Sequence, residues 1–178
     1  MIVNEENQLS SRFIPENLRE INISFADNTE GSRKKMTKEA KEALEKLVDD
    51  AAEDNIDLIG KSAYISYAEQ YKDYYMKVLE VGSDKAASLV EKPGTSEHQT
   101  GLCIDLTNKE CNLQKNSEEY KWIEKNSYKY GFVVRTCNEK NAVHIRYVGE
   151  DLAKYIYENN LTLEAYVEDL SLRKDGST

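Results

Sequence analysis

"PGTSEHQTGLCIDL", residues 93–106, decides how this chain is read. It joins a loop of Pro, Gly, Ser and Thr to a short apolar run, "LCIDL" (102–106), with the length of a strand. His98 stands at the mouth of that strand and is one of only two histidines in 178 residues. Asp105 lies inside the apolar run, on the same strand face as Cys103. A carboxylate withdrawn from water is costly unless it gains a cationic, hydrogen-bonding or metal partner. The second histidine, His144, falls in another strand-like run, "AVHIRYV" (142–148), where alternation puts it on one face with Ala142 and Arg146.

Two histidines and one carboxylate suit zinc, and three protein ligands leave a fourth position for water, which the ion acidifies. The same residues also fit a hydrogen-bonded core histidine and a structural aspartate. Spacing alone leaves both readings open.

Residues 1–35 are polar and irregular and read as an extended arm pinned to the core by "FIPENL" and "INISF". Thr37 is placed to cap a helix running to about Glu53, with Met36, Ala40, Ala43, Leu44, Leu47, Val48 and Ala51 at helical spacing. "IDLIGKSAYIS" (56–66) reads as a strand ending in a polar loop. A helix follows from Tyr67 to about Leu79, stopped near Gly82, and its stripe of Tyr67, Tyr71, Tyr74 and Tyr75 reads as core packing. "SDKAASLV" suggests a short helix. Ser117 is placed to cap another through Tyr130, with Gly131 in the stop position. "FVVRT" and "AVHIRYV" form a hairpin, two closing helices follow, and residues 172–178 read as a disordered tail. The order predicts an α+β domain over 36–171, with a small, mostly antiparallel sheet flanked by helices.

Composition narrows the partners. A net charge of −9 repels nucleic acid and anionic membrane surfaces, and "SRKK" (32–35) reads as a solvated turn. No apolar run approaches the length of a membrane span, and "MIVNEENQLS" has no signal-peptide pattern. Three cysteines without a C-x-x-C pair argue against a disulfide framework. The chain is expected to be a monomer.

"SEHQTGLCID" resembles the S-x-H-x-x-G-x-A-x-D motif of the VanY-type zinc D-alanyl-D-alanine carboxypeptidases, and "HIRYVG" (144–149) resembles their second signature, normally preceded by Glu-Pro-Trp. "VNEENQLSSRFIPENL", "SAYISYAEQ" and "GEDLAKYIYENNLTLEAY" are similar to the family's arm, its S-G-Y-R-S-Y-x-x-Q segment and its closing helices. The resemblance implies Zn2+ held by His98, Asp105 and His144, in an open cleft on the small sheet of the zinc D,D-peptidase (Hedgehog-like) fold. It implies a peptidoglycan stem peptide ending in D-Ala-D-Ala as substrate, in a bacterial envelope or outside the cell. Tyr64, Ile65, Ser66, Gln70, Ser96 and Arg146 are the matching cleft positions. For Ser66 and Ser96, local backbone hydrogen bonding is the simpler role.

The chain departs from that pattern at functional positions. The general-base glutamate, three residues before the second histidine, is Asn141 here, and an amide cannot accept the proton. The family's substrate arginine is Ile65, which offers no donor. Cys103 replaces an alanine and reads as a small packed residue, or more sharply as a thiolate closing the metal's fourth position. A register change in the short hairpin would bring Glu139 toward the site, although its turn position reads as an exposed charge. Glu97 reads as an ordinary companion of His98. The resulting expectation is a carboxypeptidase-like protein of reduced efficiency, with a non-catalytic zinc-binding relative that binds a wall peptide or protein as the alternative.

Overall fold

The run that carries Asp105 becomes an inner strand of a four-stranded antiparallel sheet. The computed structural model describes residues 2–135 and 141–175. In chain order, β1 (Leu18–Glu20) pairs with β2 (Lys35–Thr37), and α1 (Lys38–Glu53) follows directly. β3 (Ile59–Ser62), α2 (Tyr67–Val81) and α3 (Ser83–Ala87) come next, then a 3-10 turn at Glu97–Thr100 and β4 (Cys103–Thr107). α4 (Glu118–Asn126), β5 (Phe132–Arg135), β6 (Val143–Tyr147), α5 (Glu150–Glu158) and α6 (Leu163–Asp175) complete the chain. The main sheet has the order β3-β4-β6-β5.

Period-two alternation divides the central strands into two chemistries. Ile104, Leu106, Val143 and Ile145 face the core, where α1 inserts Ala40, Leu44, Leu47 and Ala51. The opposite residues are Cys103, Asp105, His144 and Arg146. The β4–β6 register sets Asp105 across from His144 and Cys103 across from Arg146. A smaller cluster of Val133, Ala153, Ile156 and Leu163 seats the two closing helices.

Local signals explain most boundaries. Ser66 accepts from the Glu69 backbone N–H while Glu69 reaches back to the Ser66 N–H, a capping box that starts α2. The Ser117 hydroxyl caps α4, and Gly131, in the left-handed conformation, ends the 3-10 turn at Ser127–Tyr130. Thr37 occupies the expected cap position of α1 without a side-chain bond.

Three expectations are corrected. The strand expected over 56–66 is confined to Ile59–Ser62, because Ala63 and Tyr64 donate to the carbonyls of Arg33 and Lys35. The tyrosine stripe of α2 is not core: Gln70 is the helix's buried residue, while Tyr71 and Tyr75 are half exposed and lie against each other, tilted by 38° with ring centroids 4.3 Å apart. Tyrosine tolerates this because its ring covers apolar surface while its hydroxyl stays wet. The last helix continues to Asp175, past the start of the tail expected from 172. Among the described residues, no helix is long and apolar enough to cross a membrane.

Candidate metal centre

His98 is aimed by a tight turn. The Ser96 hydroxyl accepts from the His98 backbone N–H, and the turn closes at Gly101 with φ 68°. A side chain at Gly101 would be strained at that φ, and its Cβ would meet Leu18 Cδ2 at 2.9 Å and Pro15 Cγ at 3.1 Å. The N-terminal arm therefore lies hard against the loop. Gln99 Nε2 adds bonds to the carbonyls of Ser10 and Phe13, at 3.0 and 3.2 Å. On the imidazole, Nδ1 lies 2.6 Å from the Ala63 carbonyl, which leaves Nε2 facing Asp105 Oδ2 at 3.2 Å.

Asp105 stands between the two imidazoles, one oxygen to each. Its Oδ1 is 2.7 Å from His144 Nδ1. The ring planes meet edge to face, with centroids 4.8 Å apart. His98, Asp105 and His144 are all buried and offer converging ligand atoms, a group able to hold a metal ion. Each imidazole has its other nitrogen occupied: His98 Nδ1 by a backbone carbonyl, and His144 Nε2 by Glu97 Oε2 at 3.4 Å. Such partners fix the ring orientation and turn the nitrogen that faces Asp105 toward an ion. Two nitrogens and a carboxylate oxygen make a donor set that fits zinc with a position open.

Glu97 is the site residue whose place sequence reasoning missed. It is buried behind His144, with Arg135 donating to both its oxygens at 3.1 and 3.2 Å and Arg146 Nη1 donating to Oε1. Arg135 also reaches Glu164 at the start of α6, at 2.6 Å. Burial works against the ionised Glu97, but the His144 contact and the charges of Arg146 and Arg135 hold it well below the usual carboxylate range. Burial likewise opposes ionised Asp105, and His98 and His144 outweigh it. For His144, burial disfavours the cation, while the bonds to Asp105, Cys103 and Glu97 raise its pKa well above the ordinary value. A signal for Glu97 was present: Arg135 and Arg146 both sit in apolar strand runs, and a buried guanidinium requires an acid.

Glu97 and Asp105 have folded-state pKa values below their ordinary 4.5 and 3.8. Their stabilisation is complete above those ordinary values and is lost as pH falls through the depressed ones. The urea midpoint of the metal-free protein is expected to drop steadily below about pH 4.5. A midpoint that stays level from pH 6 to pH 3, an interval on the order of the carboxylate range, would contradict this ionisation pattern.

Cys103 belongs to a second group, with Glu97 and His144. It does not join His98 and Asp105. Burial pushes its thiol up in the metal-free protein. Two guanidiniums already neutralise Glu97, and a cation placed there would meet their charge.

The metal-capable group opens on a cleft of about 770 Å³. Of the expected cleft residues, Ile65, Gln70 and Ser96 line it. Ile65 is buried and apolar, Gln70 Nε2 donates to the Glu91 carbonyl, and Ser96 serves the His98 turn. Tyr64 and Ser66 do not line it. Arg146, expected at the substrate, is instead buried on Glu97, because the β4–β6 register turns it toward that carboxylate. Asn141 is also outside the cleft: its backbone has φ 63° and its side-chain oxygen accepts from Gln114 at 2.7 Å. Glu139 and Cys137 lie outside the described residues.

Known proteins share this fold. Residues 33–150 match the family model VanY, D-alanyl-D-alanine carboxypeptidase. The putative carboxypeptidase YodJ of Bacillus subtilis is 33% identical over 94% of this chain, and the chain spans 66% of that relative, just under two thirds. The solved LdcB LD-carboxypeptidase superposes with a TM-score of 0.84 at 33% identity, covering 94% of this chain and 84% of LdcB. A vancomycin-resistance D,D-pentapeptidase VanY, solved in complex with Zn(II), gives 0.71 at 28% identity, covering 94% of this chain and 97% of its own. The fold, the converging histidines and aspartate, and the family match agree: this chain belongs to the VanY family of D-alanyl-D-alanine carboxypeptidases.

Proposed function

We propose that this chain holds Zn2+ through His98 Nε2, Asp105 and His144 Nδ1, and acts as a slow carboxypeptidase on peptidoglycan stem peptides ending in D-Ala-D-Ala, at a bacterial envelope or outside the cell. The observation that carries the reading is the convergence of those three buried side chains, each imidazole with its second nitrogen engaged. The zinc-bound VanY supplies the analogy for the metal, VanYB in complex with D-alanine-D-alanine that for the peptide end, and the LdcB LD-carboxypeptidase that for peptidoglycan. When bound, the ion supplies Lewis acidity toward a carbonyl and toward water.

The chain's own residues do the rest. Ala63 and Glu97 orient the two imidazoles, Ser96 shapes the turn that presents His98, and Ile65 gives the cleft an apolar wall. Among the described residues, no carboxylate occupies the general-base position. Loss of such a base lowers rates by about two to four orders of magnitude. Asn141, engaged by Gln114, also favours a second reading, a zinc-holding protein that binds the peptide without cleaving it.

One experiment separates the two. Zinc content is measured after purification without added metal, and D-alanine release is assayed on a peptide ending in D-Ala-D-Ala. Slow release that disappears with zinc removal supports the enzyme; stoichiometric zinc and tight binding without release support the binder; absence of zinc sinks both. Asn141→Glu is expected not to raise the rate, because residue 141 points at Gln114. It is also expected to cost about 1 kcal/mol or more, since φ 63° suits Asn better than Glu. A rate gain of tenfold, on the order of what a recovered base supplies, would show that position 141 reaches the cleft.

A further inference from the structure

A peptide cut at its last bond ends in a carboxylate, and this cleft is poorly suited to one. Six carboxylates line it, including Asp73, Glu91 and Glu164. Position 65 contributes only a hydrocarbon wall. Three Lys or Arg side chains line the cleft among the described residues: Arg33, Lys77 and Arg135. Arg135 already spans Glu97 and Glu164 and is only 12% exposed. Lys77 sits on α2 in a pair with Glu80 at 2.5 Å.

Arg33 differs from both. Its side chain is 30% exposed, pairs with Asp73 through Nη2, and donates from Nη1 to Ser62 Oγ at 3.2 Å. A guanidinium has five N–H donors, so these contacts leave donors for a ligand. Its place in the cleft lining is fixed twice. Ser62 is the β3 residue in register with Asp105. The Arg33 carbonyl accepts from Ala63 N, and the Ala63 carbonyl holds His98 Nδ1. Arg33 therefore flanks the metal-capable group from the β3 edge, on the side where Ile65 follows in the chain.

Resting on the carboxypeptidase reading above, we propose that Arg33 is the specificity-determining residue that takes the substrate's terminal carboxylate, with Asp73 as the internal anion that the substrate must share it with. The forked geometry suits a carboxylate bound through two parallel hydrogen bonds. Asp73 orients the fork and at the same time competes for it.

The test is calorimetric binding to zinc-loaded protein, using acetyl-L-lysyl-D-alanyl-D-alanine as the free acid and as its C-terminal amide. The wild type is expected to prefer the acid. Arg33→Gln should weaken the acid about 10- to 100-fold, the worth of one charge-assisted contact, and leave the amide and the zinc content unchanged. Asp73→Asn should tighten the acid. Equal weakening of acid and amide, loss of zinc from Arg33→Gln, or no acid preference in the wild type would overturn the assignment. Should Arg33→Gln fail to fold, Asp73→Asn carries the test, and an unchanged affinity for the acid overturns it. Wild-type protein that holds zinc and binds neither peptide overturns the substrate reading itself.

Discussion

Replacing His144 with alanine is expected to remove stoichiometric zinc and, with it, any D-alanine release above background. His144 is the hinge of the centre: Nδ1 faces Asp105 and Nε2 faces Glu97, with both carboxylates buried. Its removal leaves only His98 and Asp105 of the ligand group, and withdraws a shared partner from two buried anions. Losing one member of a buried charged set typically costs about 3–5 kcal/mol, so urea denaturation should register a large loss as well. Metal analysis after dialysis against a weak chelator reads the first effect. One zinc per chain retained in His144→Ala would place the ion elsewhere and dismiss this ligand set.

Glu97→Ala is expected to be the most destabilising change outside the metal ligands. It strips Arg135 and Arg146 of a carboxylate they share in a buried space, again a cost of about 3–5 kcal/mol. Glu97→Gln keeps the shape and part of the hydrogen bonding, and separates stability from metal affinity. With the charge behind His144 Nε2 gone, zinc affinity should fall about 10- to 100-fold, the usual effect of losing a partner behind a metal-binding imidazole. Competition with a chromophoric chelator measures that affinity without reference to turnover. Affinity unchanged in the glutamine variant would reduce Glu97 to a scaffold for the arginines.

The metal-capable group was legible because its members are the chain's two histidines and an aspartate placed improbably in an apolar run. The sheet was legible because alternation in "LCIDL" and "AVHIRYV" separates core residues from Asp105, His144 and Arg146. What stayed hidden depends on side chains that meet only after folding. Glu97 looked like a neighbour of His98, yet its role is fixed by Arg135 and Arg146, 38 and 49 positions away. Asn141 was identified as lacking a carboxylate, but not as facing Gln114, since a left-handed residue at a turn sends its side chain where strand alternation does not predict. Arg33 was set aside with "SRKK" as a solvated turn, because nothing local shows that a 3-10 turn at Gly31–Lys34 lies along β3. The tyrosines of α2 were assigned inward because helical spacing gives a stripe without saying which side of it is wet.

The bonds that set the metal centre close long loops: 35 residues from Ala63 to His98, 39 from Asp105 to His144, 49 from Glu97 to Arg146, and 89 from Ser10 to Gln99. Each closure costs chain entropy before its contact forms, so topologies of this kind assemble slowly and late. The centre is consequently a product of the finished fold, and no short segment carries it. An ion that binds only the folded chain stabilises all of it, by about 2.7 kcal/mol at a hundred times its dissociation constant. The melting temperature of this protein should then track zinc activity, so that the supply of the ion, as much as the sequence, sets the stability of the fold.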